Sequence, residues 1–329
     1  MKLALKNLAD QVVDEADAYR LLEELRWHGT PVCPHCGHDK VYFLKPKNGT
    51  TRATGPKKTM SPRRVWKCAK CRKQFSVLTG TIFHGTKVSL RTWLMVMVQM
   101  CSAKNGISAR EIERMHGLTP ETAWFVLQRL REAMKREPLA AMLSGTIVSE
   151  ETFIGGKPKN RHRQGKGRPG SGRGLAGNAS TKTAVLSLVS KETGEVRSVV
   201  VPDVTGASLR KAIAEQVDMA GSDLQTDGGR WYQVLGREFA SHETVDHDAW
   251  EYVRGDVSTN VCENYFSQLK RSIDGTHHHV SKTHLPRYLA EFDFRYSTRE
   301  LSDSVRMERM IGQAAGRRLT YKPLSEGKG

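Results

Sequence analysis

The sequence has no apolar run long enough to cross a lipid bilayer. Its most apolar stretch, Trp93–Cys101, is nine residues long, whereas a membrane-spanning helix needs about 20 apolar residues. The amino terminus is charged and amphipathic, and it does not resemble a signal peptide. These absences predict a cytoplasmic protein that has no membrane partner.

Acidic residues are also in short supply. The chain of 329 residues has 35 Asp and Glu against 52 Lys and Arg, which gives a formal net charge of +17. Each Lys or Arg that neutralises a phosphate also releases counterions, so the excess predicts a polyanionic partner, most simply nucleic acid. A ribosomal or merely basic protein would fit the charge alone. With 38% apolar residues, the chain can form two or three domains with real cores.

Cysteine is scarce, and four of the six cysteines stand in two Cys-x-x-Cys pairs. Cys33 and Cys36 form the first pair, and Cys68 and Cys71 form the second. Two such pairs can supply the four sulfurs of a tetrahedral structural zinc site. A redox pair is the competing interpretation. His35 is an alternative zinc ligand, although four cysteines already complete the coordination shell.

Two stretches lack acidic residues altogether. Residues 40–73 hold twelve Lys or Arg, and they include an inserted hairpin that we predict at residues 46–62. This stretch is a predicted phosphate-binding surface. Residues 157–182 form a Gly-rich loop with eight Lys or Arg, which is either a flexible linker or a disordered arm that becomes ordered on DNA. The candidate DNA contacts of this loop are Arg161, Arg163, Lys166 and Arg168.

A pair of short helices is predicted between the cysteines and the carboxyl-terminal half. Ser108 and Glu111 form a capping-box pattern at the start of the first helix, and Gly117 ends it. Thr119 is the predicted N-cap of the second helix, which runs through Met134. The pair is either a helix-turn-helix that enters a DNA major groove or an ordinary helical hairpin. The candidate groove-facing residues are Thr122, Gln128, Arg129 and Arg131.

The following region alternates between strand and helix patterns. Strands are predicted at residues 146–154, 183–190 and 196–201, a helix at 208–217 and another strand at 222–226. This order matches an RNase H-like α/β core with a mixed sheet. Acids stand on the first strand (Glu150), at the end of the fourth (Asp227) and on a later helix (Glu263). The fold class is therefore a multidomain α+β protein with a zinc ribbon, a helix-turn-helix and this core.

The later helix, predicted over residues 259–271, has two distinct faces. An apolar face contains Cys262, Tyr265, Phe266, Leu269 and Ile273. A polar stripe carries Glu263, Ser267 and Lys270. Taken alone, this stripe is typical of a solvated helix face.

These motifs together resemble one family. They are Cys33–Gly37, Phe75–Phe83, the helix pair, Glu151–Lys157, Thr226–Gly228, Thr259–Arg271 and Gly275–Ser281. The chain resembles bacterial insertion-sequence transposases with an amino-terminal zinc ribbon and a DDE domain, which are related to eukaryotic Merlin elements. The resemblance covers roughly residues 10 to 300, in several independent motifs in the right order.

The resemblance implies two catalytic Mg²⁺ or Mn²⁺ ions. Glu150 and Asp227 would hold one ion jointly, and Glu263 would complete the second. Lys270 would lie against a DNA phosphate, and Asn260 would be a polar ligand or a DNA contact. The family has Asp where this chain has Glu150. The extra methylene would move a metal by about 1 Å, a shift that lowers rates on the order of 100-fold.

The family pattern also predicts how the chain is divided and what it binds. The predicted parts are residues 1–83 (helix and zinc ribbon), 84–140 (helix-turn-helix), 141–300 (DDE domain) and 301–329 (tail). Expected partners are double-stranded DNA, namely terminal inverted repeats and target DNA, and further copies of the chain in a homodimer or larger assembly. Arg271 is a further expected DNA contact. The alternative function is a transposase-derived DNA-binding protein whose catalysis is impaired at Glu150.

Overall fold

The chain divides into two units, and one of them is built from both ends of the sequence. The computed structural model describes residues 5–45, 64–135, 141–155, 182–247 and 249–321. One unit comprises Met1–Arg136 together with Glu300–Gly329, and the other comprises Glu137–Arg299. No helix in the described ranges combines the length and the apolar character that a membrane span requires.

The secondary structure alternates between helical and strand segments along the chain. The helices are α1 (Leu5–Gln11), α2 (Glu15–Trp27), α3 (Leu90–Ser102), α4 (Ala109–His116), α5 (Pro120–Met134), α6 (Gly206–Ala214), α7 (Arg230–Leu235), α8 (Asn260–Ser272), α9 (Leu285–Ser297) and α10 (Asp303–Gly312). The strands are β1 (Val41–Phe43), β2 (Trp66–Cys68), β3 (Gln74–Phe75), β4 (Leu143–Ile154), β5 (Thr183–Ser190), β6 (Val196–Val201), β7 (Val217–Asp227), β8 (Ser241–Val245), β9 (Val253–Arg254) and β10 (Val257–Ser258). The described residues also contain a short 3₁₀ turn at Gly236–Glu238 and a π-helical turn at Ile273–His277.

The core of the first unit is built around α3. This helix is apolar on nearly all sides, and Trp93, Leu94 and Met97 are buried, as expected for a helix surrounded by others. Helix α10 is tied to it, because Ser102 Oγ donates a hydrogen bond to Asp303 at 2.7 Å. The segment after residue 300 therefore contributes a packed helix to the first unit.

The start of the chain forms two helices, rather than the single helix that the apolar pattern of residues 1–28 predicts ahead of the zinc ribbon. The break lies before α2, because Asp14 caps that helix by accepting the backbone N–H of Asp17 at 2.8 Å. The Asp17 carboxylate accepts the N–H of Asp14 at 3.2 Å in return. This reciprocal capping box satisfies N–H groups that a continuous helix would bond internally.

The predicted capping signals of the helix pair are confirmed. Glu111 N–H donates to Ser108 Oγ at 3.2 Å, and Ser108 N–H donates to the Glu111 carboxylate at 2.7 Å. Gly117 ends α4 with a positive φ of 62°, a conformation that favours glycine. Thr119 caps α5. These caps fix the turn between α4 and α5.

The second unit contains a mixed five-stranded sheet in the order β6-β5-β4-β7-β8. β5 pairs antiparallel with both β4 and β6, whereas β7 pairs parallel with both β4 and β8. The predicted mixed sheet is confirmed. The strand predicted at residues 222–226 is longer and begins at Val217. Residue 217, the predicted end of the preceding helix, therefore belongs to β7, and that helix, α6, ends at Ala214.

Helices cover both faces of this sheet. Val148 of β4 packs in a core with Cys262 of α8 and Leu289 of α9. Ile147, the residue before Val148, packs in a separate core with Leu209 of α6 and with Tyr232 of α7. Successive side chains of a strand point to opposite faces. Glu150 therefore lies on the α8 face of β4, and Glu151 lies on the α7 face.

Candidate zinc centre and catalytic site

The four paired cysteines converge on one point in the first unit. Cys33 Sγ lies 3.6 Å from Cys71 Sγ, and Cys36 Sγ lies 3.6 Å from Cys68 Sγ. All four sulfurs lie within 4.8 Å of one another. Tetrahedral zinc thiolates at about 2.3 Å place their sulfurs about 3.8 Å apart, so this group has the geometry of a structural zinc centre. His35 is not part of the group.

The three-stranded ribbon around this centre is held by aromatic packing and by one acid. The ring of Trp27, at the end of α2, packs edge-on against the rings of Trp66 and Phe75, with 6.0 Å between centroids in both pairs. The carboxylate of Glu23 accepts the indole N–H of Trp66 at 2.9 Å and Nε of Arg64 at 2.7 Å. These contacts connect α2 to β2.

In the second unit, Glu150 is surrounded by other acids. Burial raises the pKa of Glu150 to about 8, and the negative charges of Glu263, Asp227 and Glu151 act in the same direction. The positive charge of Lys270 opposes them. One carboxylate oxygen of Glu150, Oε2, is buried and has no hydrogen-bond partner among the described residues. A buried carboxylate without a partner is unfavourable unless it is protonated or a cation is present.

Asp227 lies at the end of β7, on the same side as Glu150. β4 and β7 run parallel, with Val148 paired to Gln225, and Glu150 and Asp227 stand two residues further along each strand. The Asp227 carboxylate accepts the backbone N–H of Gly229 at 3.3 Å. The strand end and the following turn therefore place this carboxylate at the edge of the sheet.

Helix α8 presents its polar stripe to solvent. The predicted apolar face is buried, and Glu263, Ser267 and Lys270 are exposed, as are Asn260 and Arg271. The side chain of Glu263 is 45% exposed. The ammonium group of Lys270 lies 5.8 Å from the ring centroid of Phe266 on the same helix. The two predicted faces of this helix are thus both present.

The acids form a looser group than the cysteines. Among the described residues, the four-cysteine group is the one set of three or more His, Cys, Asp or Glu side chains compact enough to hold a metal ion as they stand. The chemistry of the acid group nevertheless suits a hard divalent cation, because its donors are carboxylate oxygens. The partnerless oxygen of Glu150 is the atom that such a cation would satisfy.

Two further side chains near the acids, Tyr232 and His247, were not predicted from the sequence. The Tyr232 hydroxyl donates a hydrogen bond to Glu151 and lies 2.9 Å from Ser149 Oγ. Burial raises the pKa of Glu151 to about 7, the Tyr232 hydrogen bond opposes this rise, and the charge of Asp227 adds to it. The His247 ring lies beside Glu263, with 3.9 Å between Nδ1 and Oε1. Neither Tyr232 nor His247 stands in a motif that signals this proximity.

Two family models match the chain. The model described as "ISXO2-like transposase domain" matches residues 142–297, and the one described as "Transposase zinc-ribbon domain" matches residues 13–74. The chain belongs to the IS1595 family of transposases. The zinc-ribbon match and the geometry of the four cysteines fit a structural zinc ion in this transposase. The first match implies an enzyme of the DDE transposase type, and both families imply DNA binding.

A relative from a mobile element supports this assignment. The transposase is 28% identical over 286 residues to an "Uncharacterized protein in transposable element ISH50" of Halobacterium salinarum (strain ATCC 700922 / JCM 11081 / NRC-1), a match that covers 86% of this chain and 91% of the relative. A cryo-EM structure of the simian T-cell lymphotropic virus intasome in complex with PP2A regulatory subunit B56 gamma also matches. That match has 16% identity and a TM-score of 0.26, and it covers 55% of this chain and 63% of that one. The score is too low to equate the two folds.

The predicted DNA-reading side chains of the transposase's α5 do not all face solvent. Gln128 is 0% exposed and Arg129 is 4% exposed. The Arg129 guanidinium donates to the His84 carbonyl at 2.7 Å and lies 5.5 Å from the Trp93 ring centroid. The prediction that these two side chains contact DNA is therefore corrected, because both are part of the packed interior of the first unit.

The other candidate DNA contacts have different positions. Thr122 lies in the first turn of α5, half-buried, with its backbone N–H bonded to Thr119 Oγ1. Arg131 is 1% exposed, so the prediction that it faces a DNA groove is corrected for the same reason. Arg271 is exposed at the carboxyl-terminal end of α8. The predicted contacts of the basic loop, Arg161, Arg163, Lys166 and Arg168, lie outside the described residues.

Proposed function

We propose that this transposase binds the terminal inverted repeats of its insertion sequence and catalyses metal-dependent DNA strand cleavage and strand transfer. The observation that carries the proposal is the buried, partnerless carboxylate oxygen of Glu150, on a residue whose pKa is raised by burial and by the charges of Glu263 and Asp227. Clustered carboxylates repel one another and lose solvation, so they persist in a fold mainly where they bind cations or transfer protons.

Glu150, Asp227 and Glu263 are the proposed ligands of Mg²⁺ or Mn²⁺. When bound between them, two such ions would activate the attacking oxygen and stabilise the leaving oxygen. Glu150 and Asp227 come from neighbouring parallel strands, so they are held by the sheet. Glu263 comes from an exposed helix position and can rotate towards them. Because Glu263 is not fixed in the way that Glu150 and Asp227 are, the three acids lie in one region without forming a compact metal-binding set.

The reaction has two steps. In the first, a water oxygen attacks a phosphodiester phosphorus at the element's end, the bond from phosphorus to the 3′ oxygen breaks, and a 3′-hydroxyl and a 5′-phosphate are produced. In the second, that 3′-hydroxyl attacks a phosphodiester phosphorus of target DNA, the bond from phosphorus to the target strand's 3′ oxygen breaks, and a target 3′-hydroxyl leaves. Lys270 is proposed to contact a DNA phosphate, with Arg271 on the next phosphate and Asn260 as a further polar contact.

DNA recognition is proposed to rest on the zinc ribbon and the helix pair. In helix-turn-helix proteins the amino-terminal residues of the second helix contact base edges, which is where Thr122 lies in α5. Arg110 and Arg114 of α4 are exposed and carry positive charge. Transposition joins two element ends, so we propose that the active species is a homodimer or a larger assembly on DNA.

A second candidate function is a DNA-binding role without catalysis. It is favoured by the substitution at Glu150 and by the spacing of the acids, which do not form a compact metal-holding set among the described residues. In that case the zinc ribbon and the helix pair would still bind the repeats. Strand cleavage would be absent.

The test is cleavage and joining of a labelled duplex that carries the element's terminal repeat, in Mg²⁺ or Mn²⁺. The unmodified protein is expected to cut and join, and Asp227→Ala is expected to do neither while still shifting the duplex in a binding gel. Glu243→Gln, an exposed acid on β8, is the matched control and should keep activity. Binding without cleavage in the unmodified protein, with cleavage restored by Glu150→Asp, would instead favour the second candidate.

A further inference from the structure

His247 lies beside Glu263, one of the proposed metal ligands, on a loop that is not part of any sequence motif described above. The loop joins β8 to β9, and its backbone is closed by internal hydrogen bonds, of which two involve or flank His247. Trp250 N–H donates to the His247 carbonyl at 3.1 Å, and Glu251 N–H donates to the Asp246 carbonyl at 2.9 Å. The loop therefore holds the His247 ring beside the start of α8.

The ring is fixed on two further sides. Its Nε2 lies 3.2 Å from Oγ1 of Thr259, a residue that is 0% exposed. Its face packs against the Tyr252 ring, with 5.1 Å between centroids. With these partners the histidine is only 27% exposed. A ring held in this way has few alternative orientations.

The remaining ring nitrogen faces the proposed metal ligand. His247 Nδ1 lies 3.9 Å from Glu263 Oε1. If the Thr259 hydroxyl donates its hydrogen to Nε2, the neutral imidazole carries its hydrogen on Nδ1. That hydrogen points towards Glu263, at a separation that a small rotation of the exposed carboxylate would close.

We propose that His247 is a positioning residue for Glu263. Thr259 sets the orientation of the imidazole, and the imidazole restrains the Glu263 carboxylate so that its other oxygen is directed to the metal site. Glu263 needs such a restraint because it comes from an exposed helix position, whereas the sheet holds Glu150 and Asp227. Partners that orient a metal ligand typically change metal affinity 10- to 100-fold. This inference rests on the proposed function, because it requires Glu263 to bind the ion.

The test measures Mn²⁺ binding to the full-length, zinc-loaded protein in the absence of DNA. Free Mn²⁺ is followed by electron paramagnetic resonance. His247→Ala is expected to weaken Mn²⁺ binding about 10-fold or more. His247→Asn, whose amide nitrogen takes the place of Nδ1, is expected to restore binding to within about threefold. Thr259→Val, which removes the hydroxyl but keeps the shape, should weaken binding in the same direction.

The controls separate this inference from the proposed function. Asp227→Ala should lose Mn²⁺ binding, and Glu243→Gln should keep it. If Asp227→Ala loses binding but His247→Ala binds like the unmodified protein, the positioning role is overturned and the proposed function stands. If the unmodified protein binds no more Mn²⁺ than Asp227→Ala, both are overturned. Nitrogen couplings to Mn²⁺ in pulsed spectra would show that His247 is a direct ligand and would also overturn the positioning role.

Discussion

Tyr232 on α7 donates its hydroxyl hydrogen to Glu151 on β4, the residue next to Glu150. This contact crosses one face of the sheet, whereas Glu150 faces the other. Ser149 Oγ lies 2.9 Å from the same hydroxyl. The buried Tyr232 hydroxyl therefore holds β4 on the face opposite to Glu150, and its contribution to stability can be measured.

Tyr232→Phe should destabilise the fold by about 1 to 3 kcal/mol, because it leaves the Glu151 carboxylate without its donor. The measurement is denaturant unfolding of the full-length chain. Adding Glu151→Leu to Tyr232→Phe should recover part of the loss, since no carboxylate is then left without its donor. The recovery is partial because Ser149 Oγ still loses its contact with the hydroxyl. A Tyr232→Phe protein as stable as the unmodified one would contradict the prediction.

Asp293 should make the second unit less stable as pH rises. Burial raises its pKa to about 6 from an ordinary value of 3.8, although it accepts hydrogen bonds from Tyr265 and Ser198. The folded state therefore binds a proton more tightly than the unfolded state between these values, and stability falls as pH rises through that window. The stabilising contribution is complete below pH 3.8 and is lost by about pH 6.

Asp293→Asn removes this titration and serves as the comparison. The difference in unfolding free energy between the unmodified protein and Asp293→Asn should change by about 3 kcal/mol as pH rises from about 4 to 6. Other acids titrate in both proteins and cancel in the difference. A difference that is constant with pH would contradict the prediction.

Chelation of zinc should unfold the ribbon, because structural zinc sites contribute folding energy directly. The unmodified protein should contain one zinc per chain by elemental analysis, and Cys68→Ser should contain much less. Cys101→Ala is the matched control, since Cys101 is buried but is not among the four converging sulfurs. Loss of zinc in Cys101→Ala, or full zinc in Cys68→Ser, would contradict the assignment.

Arg129→Met should lower thermal stability, and it should leave the DNA affinity of the folded protein nearly unchanged. The reason is that Arg129 donates to the His84 carbonyl and packs on Trp93 in the interior. Thr122→Ala should weaken DNA binding with little loss of stability. The measurements are a thermal melt and a titration of the repeat duplex at one fixed salt concentration, because affinity for DNA depends steeply on salt. A reversed pattern would restore Arg129 as a DNA contact.

Local signals explain why much of the fold could be predicted from the sequence. The caps at Ser108 and Thr119 and the buried face of α8 depend on residues close together in the chain. The cysteine pairs were predictable for the same reason. Each Cys-x-x-Cys pair forms a tight turn that presents two sulfurs, and one zinc ion needs four, so the convergence of the two pairs could be predicted.

The rest depended on contacts that sequence periodicity does not show. Arg129 is polar, and its burial follows from a carbonyl and an aromatic ring that are distant in sequence. Tyr232 and His247 reach the acids only because the sheet brings distant segments together. Helix α10 lay beyond the motifs, and its burial against α3 is a tertiary contact. The sequence therefore predicted the proposed acids, but it did not predict the side chains that hold them.

The most direct test that Glu150 is a catalytic metal ligand is single-turnover cleavage of the terminal-repeat duplex by the unmodified protein and by Glu150→Gln, in the same Mg²⁺ or Mn²⁺ buffer. Glutamine keeps the shape of Glu150 and removes the charge that would bind the ion. We expect cleavage by the unmodified protein and a rate at least about 100-fold lower in Glu150→Gln, with equal binding of the duplex. Equal cleavage rates in the two proteins would contradict the assignment of Glu150 as a catalytic metal ligand.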